Sequence, residues 1–230
     1  MSHVCIINYM PASNAFSRGR PRANDADIRR ERLFEAARQA FLVQGFQGAS
    51  LEGIAQQAGI SRATIYRQFR SKEKLFREVA LHSVDMLRAE ARAIPDAGRQ
   101  PRVVLCDFVM LFAGAVTDER SVGLLRMAIS EQPLFPELAL EIAGHMQDTL
   151  APLTTYLRRM KQQGLLNFYD VTMAARWLLV MANEGFSFLL VRPQETESAR
   201  QQRAMAIVEM FLHGLSRHGD NGMLPQQKAP

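Results

Sequence analysis

Within eleven residues the chain collects Arg62, Thr64, Tyr66, Arg67 and Lys72. Guanidinium, hydroxyl and ammonium groups share one chemistry, which is donation to oxygen and nitrogen acceptors. Phosphates and base edges are such acceptors. Arg62 can read guanine, and Thr64 can meet a base or the thymine methyl. Tyr66 and Lys72 stand on either side to hold phosphates. Competing covalent chemistry has no support: no G-x-S-x-G, H-E-x-x-H, P-loop or dinucleotide glycine fingerprint occurs. The carboxylates are scattered and do not pair on one apolar face. We expect no catalytic residue, no metal and no cofactor.

These donors need a scaffold, and the stretch from Ser50 to Leu75 supplies one. Ser50 is a candidate N-cap, and Leu51, Ile54, Ala55 and Ala58 then recur at helical spacing. Gly59 stands where that helix must stop, because glycine reaches the left-handed conformation without steric cost. Ser61 caps a second helix, predicted over 62–68, with Ile65 and Phe69 facing inward. Arg62, Ala63, Thr64, Tyr66 and Arg67 are left facing out. Ser71 caps again before Lys72, Lys74, Leu75 and Phe76. Helix, glycine turn and second helix make a helix-turn-helix pattern, whose outer helix enters the major groove. An ordinary helical hairpin with a solvated face is the plainer alternative. The combined spacing Ala55-x3-Gly59-x-Ser61 and Thr64-x-Tyr66-x2-Phe69-x2-Lys72 favours DNA.

On these residues, the segment from about Ile28 to Val79 resembles the DNA-binding domain of the TetR/AcrR family of bacterial transcriptional regulators. The match runs through Ala36-Ala37, Phe41, Gly45-Phe46, Ile54-Ala55, Gly59, Ser61, Thr64-Ile65-Tyr66, Phe69 and Lys72-x-x-Leu75. The resemblance implies that Arg62, Ala63, Thr64 and Tyr66 lie on the recognition helix and that Ser50, Tyr66 and Lys72 fall at the DNA backbone; Leu51, Ser61 and Arg67 complete the expected DNA-binding set. Arg67 departs from the aromatic or histidine often found there. Leu124-Leu125-Arg126 through Pro133-x-Phe135-Pro136-Glu137-Leu138 also resembles the regulatory domain of the AefR-like branch. That implies a ligand or dimerisation domain and a cytoplasmic, bacterial protein.

Charge distribution agrees with a polyanion partner. Residues 1–90 hold 14 Lys and Arg against 9 Asp and Glu, whereas residues 91–230 hold 14 of each. The whole excess of +5 therefore lies beside the helix-turn-helix. The two cysteines, Cys5 and Cys106, are far apart and in unlike contexts, which fits a reducing compartment. The longest apolar runs are interrupted by Asp107, Arg176, Asn183 and Glu184, so neither crosses a bilayer cheaply.

In chain order, residues 1–26 read as a flexible arm, with Met10 an alternative start. Arg18, Arg20 and Arg22 on an extended backbone suit a narrow minor groove; a basic tail attracted non-specifically to phosphate is the equal alternative. A first helix is predicted over 27–44 and a long one over 75–94, linking the small domain, 27–87, to a helical part, 88–218. Further helices are predicted over 102–116, 121–130, 136–145, 149–163, 170–191 and 195–218, with a disordered tail over 219–230. No alternating strand pattern intervenes. The fold expected is all-α: an N-terminal three-helix helix-turn-helix domain and a C-terminal helical ligand-binding and dimerisation domain.

The last two helices are apolar nearly all round, so one side needs a partner. Gly185, Phe186, Leu189, Ile207 and Phe211 are the candidate contacts of a homodimer whose two-fold axis would match a palindromic operator. A wholly intramolecular core is the alternative. Phe108, Phe112, Met127, His145, Met146, Trp177 and Met181 are candidate walls of a pocket for a small, largely apolar effector, although such stripes usually form core. A homodimeric repressor released by that effector is the reading these features favour. A helical carrier or enzyme with an incidental basic N-terminal part is its rival.

Overall fold

A computed structural model describes residues 23–183, 185, 189–190 and 195–216. Among these residues there are ten helices and no strand. They are α1 (Ala23–Gly48), α2 (Leu51–Ala58), α3 (Arg62–Gln68), α4 (Lys72–Ala93), α5 (Pro101–Ala115), α6 (Glu119–Ser130), α7 (Pro136–Thr149), α8 (Ala151–Gln162), α9 (Val171–Ala182) and α10 (Glu197–Ser216). The last residues of the expected arm, 23–26, are instead the first of α1; the rest of it, with Arg18, Arg20 and Arg22, lies outside the described residues, as does the tail.

Two apolar cores form, and α4 belongs to both. The first gathers Leu33, Phe34, Ala37 and Phe41 of α1, Leu51, Ile54 and Ala55 of α2, Ile65 of α3, and Leu75, Phe76 and Val79 of α4. Four phenylalanines meet at its base. Phe46 lies 5.4 Å from Phe76, 6.1 Å from Phe41 and 5.1 Å from Phe135 between ring centroids. Phe46 reaches them because Gly45 turns left-handed (φ 71°) and interrupts the helical path inside α1. This core does not end at the small domain: Leu124 and Ala128 of α6 and Leu138 and Ile142 of α7 are part of it. Arg77 and Glu141 clamp the α4–α7 contact with bonds of 2.5 and 2.9 Å, and Arg120 meets Glu35 at 2.8 Å across α6 and α1.

The second core is built from α5, α8, α9 and α10, with Ala91 of α4 in it and Leu87 and Ile94 against it. At about 1.5 Å per residue, the 22 residues of α4 span ~33 Å, enough to connect the two.

One helix differs from expectation. α9 stops at Ala182, not at residue 191. Asn183 takes the C-cap position, its N–H donating to the Leu179 carbonyl, and Gly185 is left-handed (φ 77°). The apolar run continues, but a left-handed glycine ends the helix regardless of composition. Arg203 of α10 seals that end: Nη1 donates to the Ala182 carbonyl at 2.8 Å, while Nε and Nη2 bond Glu195 at 2.9 and 2.7 Å.

Candidate nucleic-acid interface

The outer face of α3 is built from its caps inward. Seven residues are too few for a stable isolated helix, so the ends and the packed side must fix it. Ser61 accepts from the Thr64 N–H at 3.1 Å, and its hydroxyl lies 2.8 Å from that of Thr64. Ser50 does the same for α2, accepting from the Gly53 N–H at 3.1 Å. Gly59 sits between them at φ 69°, its N–H closing the last turn of α2. Ile65 and Phe69 are buried in the first core. The opposite face, with Arg62, Ala63, Tyr66 and Arg67, is exposed, and Thr64 is half-buried.

The donors on that face are not free-standing. Arg62, although 72 % exposed, lies with Nη2 at 2.7 Å from Glu52 Oε1. The Tyr66 hydroxyl donates to the same oxygen at 2.5 Å. The Arg62 guanidinium stands 5.7 Å from the Tyr66 ring centroid. The Tyr66 hydrogen bond, then the backbone N–H of Glu52 and last the Arg62 charge, hold the Glu52 carboxyl below its usual range, and the same Tyr66 bond pushes the phenol above its own. Lys72 is seated as well: Nζ donates to the Gln47 carbonyl at 3.1 Å and stands 4.7 Å over the Phe46 ring. Its charge is thereby fixed at one edge of the helix-turn-helix.

Leu51 requires correction. Its side chain is 5 % exposed and belongs to the first core, so only its backbone is available to DNA. Glu52, its neighbour in the first turn of α2, is the residue that sequence reasoning passed over. An acid near a helix N-terminus is ordinary, and nothing in the spacing of Glu52 and Tyr66 marks them as partners.

The expected pocket walls do not come together. Phe108 and Phe112 are buried in the second core, with Met181 packed against it. Met127 packs instead on the first core. Met146 and Trp177 are exposed, and His145 Nδ1 lies 3.2 Å from Asp85 on α4. Of the seven, Phe108 alone lines a cavity of about 290 Å³ between the end of α4, α5 and the start of α8. Its other walls include Ala91, Ile94, Pro152, Tyr156 and Arg159. Tyr156 is 3 % exposed, and its hydroxyl finds no hydrogen-bond partner among the described residues.

The expected dimer contacts also divide. Ile207 and Phe211 are buried in their own chain's core, Phe211 lying 5.9 Å from Phe168. That burial removes them from the outer surface. Leu189 is tied inward through its carbonyl, which accepts from Arg126 Nε at 2.8 Å. Gly185 forms the turn after α9, and Phe186 lies outside the described residues. On these two helices the exposed large apolar side chains are Met173, Trp177 and Val180 of α9 and Met205 and Met210 of α10.

Comparison with known proteins agrees with this architecture. Residues 33–79 match the family model of bacterial regulatory proteins of the tetR family. Residues 103–214 match that of the AefR-like transcriptional repressor C-terminal domain. The chain belongs to the TetR family. The first matched segment holds the helix-turn-helix of α2 and α3. Among curated relatives, the regulator AlkX of Mycobacterium tuberculosis is 33 % identical over 98 residues, 42 % of this chain and 46 % of that protein. UidR of Escherichia coli K12 is 40 % identical over 68 residues, 30 % of this chain and 34 % of that one. The chain thus spans less than half the length of these relatives. Whole-length likeness comes from solved structures. A TetR-family regulator of Mesorhizobium loti superposes with a TM-score of 0.73 at 24 % identity, covering 82 % of this chain and 97 % of that one. The flavonoid-responsive regulator FrrA gives 0.66 at 27 %, covering 83 % and 99 %. Among the described residues no helix is long and apolar enough to cross a membrane.

Proposed function

We infer that this TetR-family protein is a homodimeric repressor that reads a palindromic operator and leaves it when a small, largely apolar effector binds. The observation that carries the reading is the division of α3. Ile65 and Phe69 anchor the helix inward, while Arg62, Thr64 and Tyr66 present donors outward on a helix capped by Ser61. Arg62 reads guanine, Ser50, Tyr66 and Lys72 hold phosphates, and Arg67 lies at the outer edge.

One recognition helix covers a half-site, so two copies with α3 about 34–36 Å apart fit successive major grooves. The uncovered apolar side chains of α9 and α10 support such a pairing: Trp177 is 55 % exposed, beside Met173 and Val180. The cavity at the end of α4 supports an effector, and FrrA is by name a flavonoid-responsive relative. A ligand there touches the same helix whose other end begins at Lys72. Release from DNA then measures the effector's differential affinity for the two arrangements of α4.

Selection of bound sequences from a random duplex library tests the reading. A palindromic consensus with guanine in each half-site is the expected result. A non-palindromic consensus, or none, overturns it.

A further inference from the structure

The geometry points to Glu52 as the residue that sets DNA specificity in this regulator, by holding the recognition donors Arg62 and Tyr66 until a duplex offers better partners. Both donors converge on one carboxylate oxygen, Oε1, at 2.7 and 2.5 Å. The carboxylate belongs to α2 and the donors to α3, so the clasp spans the helix-turn-helix on its outward side. Glu52 is only half-buried and stands in the first turn of α2, where Ser50 also lies.

DNA must break this clasp. Tyr66 has a single phenolic proton and cannot donate it to a phosphate while it lies on Oε1, and Arg62, with one of its five N–H donors on Glu52, has its fork held in an orientation set by the protein and not by guanine O6 and N7. Once released, the carboxylate faces a polyanion with its own acceptors unfilled. Against phosphate or a base acceptor it is repelled. Against an exocyclic amine, such as cytosine N4, it accepts a hydrogen bond. A non-cognate duplex therefore bears the loss of the clasp without compensation. A cognate duplex returns it, through guanine to Arg62 and an amine to Glu52. Such an element works mainly by disfavouring wrong partners.

The test compares two duplexes, the consensus selected by the wild-type protein and a random-sequence duplex of equal length, by fluorescence anisotropy at fixed salt. Glu52→Gln keeps size and removes charge. It is expected to bind random duplex about threefold to tenfold tighter, as fits two exposed charge-assisted contacts, and to gain less on the consensus. In an Arg62→Ala, Tyr66→Phe background the gain on random duplex should largely vanish, because the clasp is already absent. Glu73→Gln, also in the first turn of a helix at this end of the protein, should leave the ratio unchanged. Circular dichroism checks folding, and Glu52→Ala provides a second variant. The proposal is overturned if Glu52→Gln gains nothing on random duplex, gains equally on both, keeps its gain in the double-substituted background, or is matched by Glu73→Gln. The last two results would reduce Glu52 to general charge repulsion.

Discussion

Arg62 and Lys72 carry the same charge and are expected to act differently, because Arg62, though clasped to Glu52, stands on the outer face of α3 while Lys72 is seated at its edge. Arg62 projects from the exposed side of α3, where its guanidinium fork can discriminate guanine. Lys72 is fixed over the Phe46 ring with one proton on the Gln47 carbonyl, so what it offers DNA is a positioned charge. Arg62→Ala should cost about 1–3 kcal/mol on the consensus and flatten base preference at one position per half-site. Lys72→Ala should weaken all sequences alike and lower the slope of log K against log salt by about 1. Titrations at several salt concentrations on cognate and scrambled duplexes separate the two. Identical behaviour of both variants would mean that the assigned face is wrong.

Among the elements, the Glu195–Arg203 ion pair helps to hold the link between α9 and α10. Glu195 receives two bonds from Arg203, which also caps α9 through the Ala182 carbonyl. The Arg203 hydrogen bond holds the Glu195 carboxyl below its ordinary value of 4.5. A depressed carboxylate contributes stability that is complete above 4.5 and lost as pH falls through the lower folded value. Glu195→Gln should therefore lower stability by about 2 kcal/mol at pH 7. The gap from wild type should close progressively below pH 4.5. Urea unfolding at pH 7, 5 and 3 reads this directly, and a gap independent of pH would show the carboxylate charge to be irrelevant.

Elements fixed by local chemistry were legible in the sequence. Ser50, Gly59, Ser61 and Ser71 are caps whose action reaches only one turn, and the helix over 62–68 stands where they place it. The same holds for Gly45, whose break brings Phe46 back onto Phe41 and Phe76. What was not legible depends on distant partners. Helical periodicity marks Ile207 and Phe211 as apolar but not whether their cover comes from the same chain, and here Phe168 lies against Phe211. Trp177 and Met146 resembled cavity lining by type, yet they face outward. Tyr156 and Arg159, which line the cavity, carry no sequence signal beyond ordinary helix composition. Glu52 was missed for the same reason, its partners lying 10 and 14 positions away on another helix.

At the scale of the molecule, the outward row of α9, Met173, Trp177 and Val180, has the composition of an interface centre. Trp177→Glu places a charge there and should weaken dimerisation by about 2–4 kcal/mol. Sedimentation is expected to find a dimer for the wild-type protein and a monomer for the variant, with helix content unchanged. Operator affinity should fall further than affinity for a single half-site, since only the palindrome uses both copies. A variant that remains dimeric would move the interface elsewhere on the surface.

Because α4 is embedded in both cores, it behaves as a crankshaft with fixed phase. Each residue of a helix advances about 100°, so one residue inserted between Ala80 and Ala91 would rotate one core against the other by more than a quarter turn. Chimaeras that graft this reading head onto a foreign sensor would have to splice within α4 in whole helical turns, or cross over where α6 and α7 travel with the head.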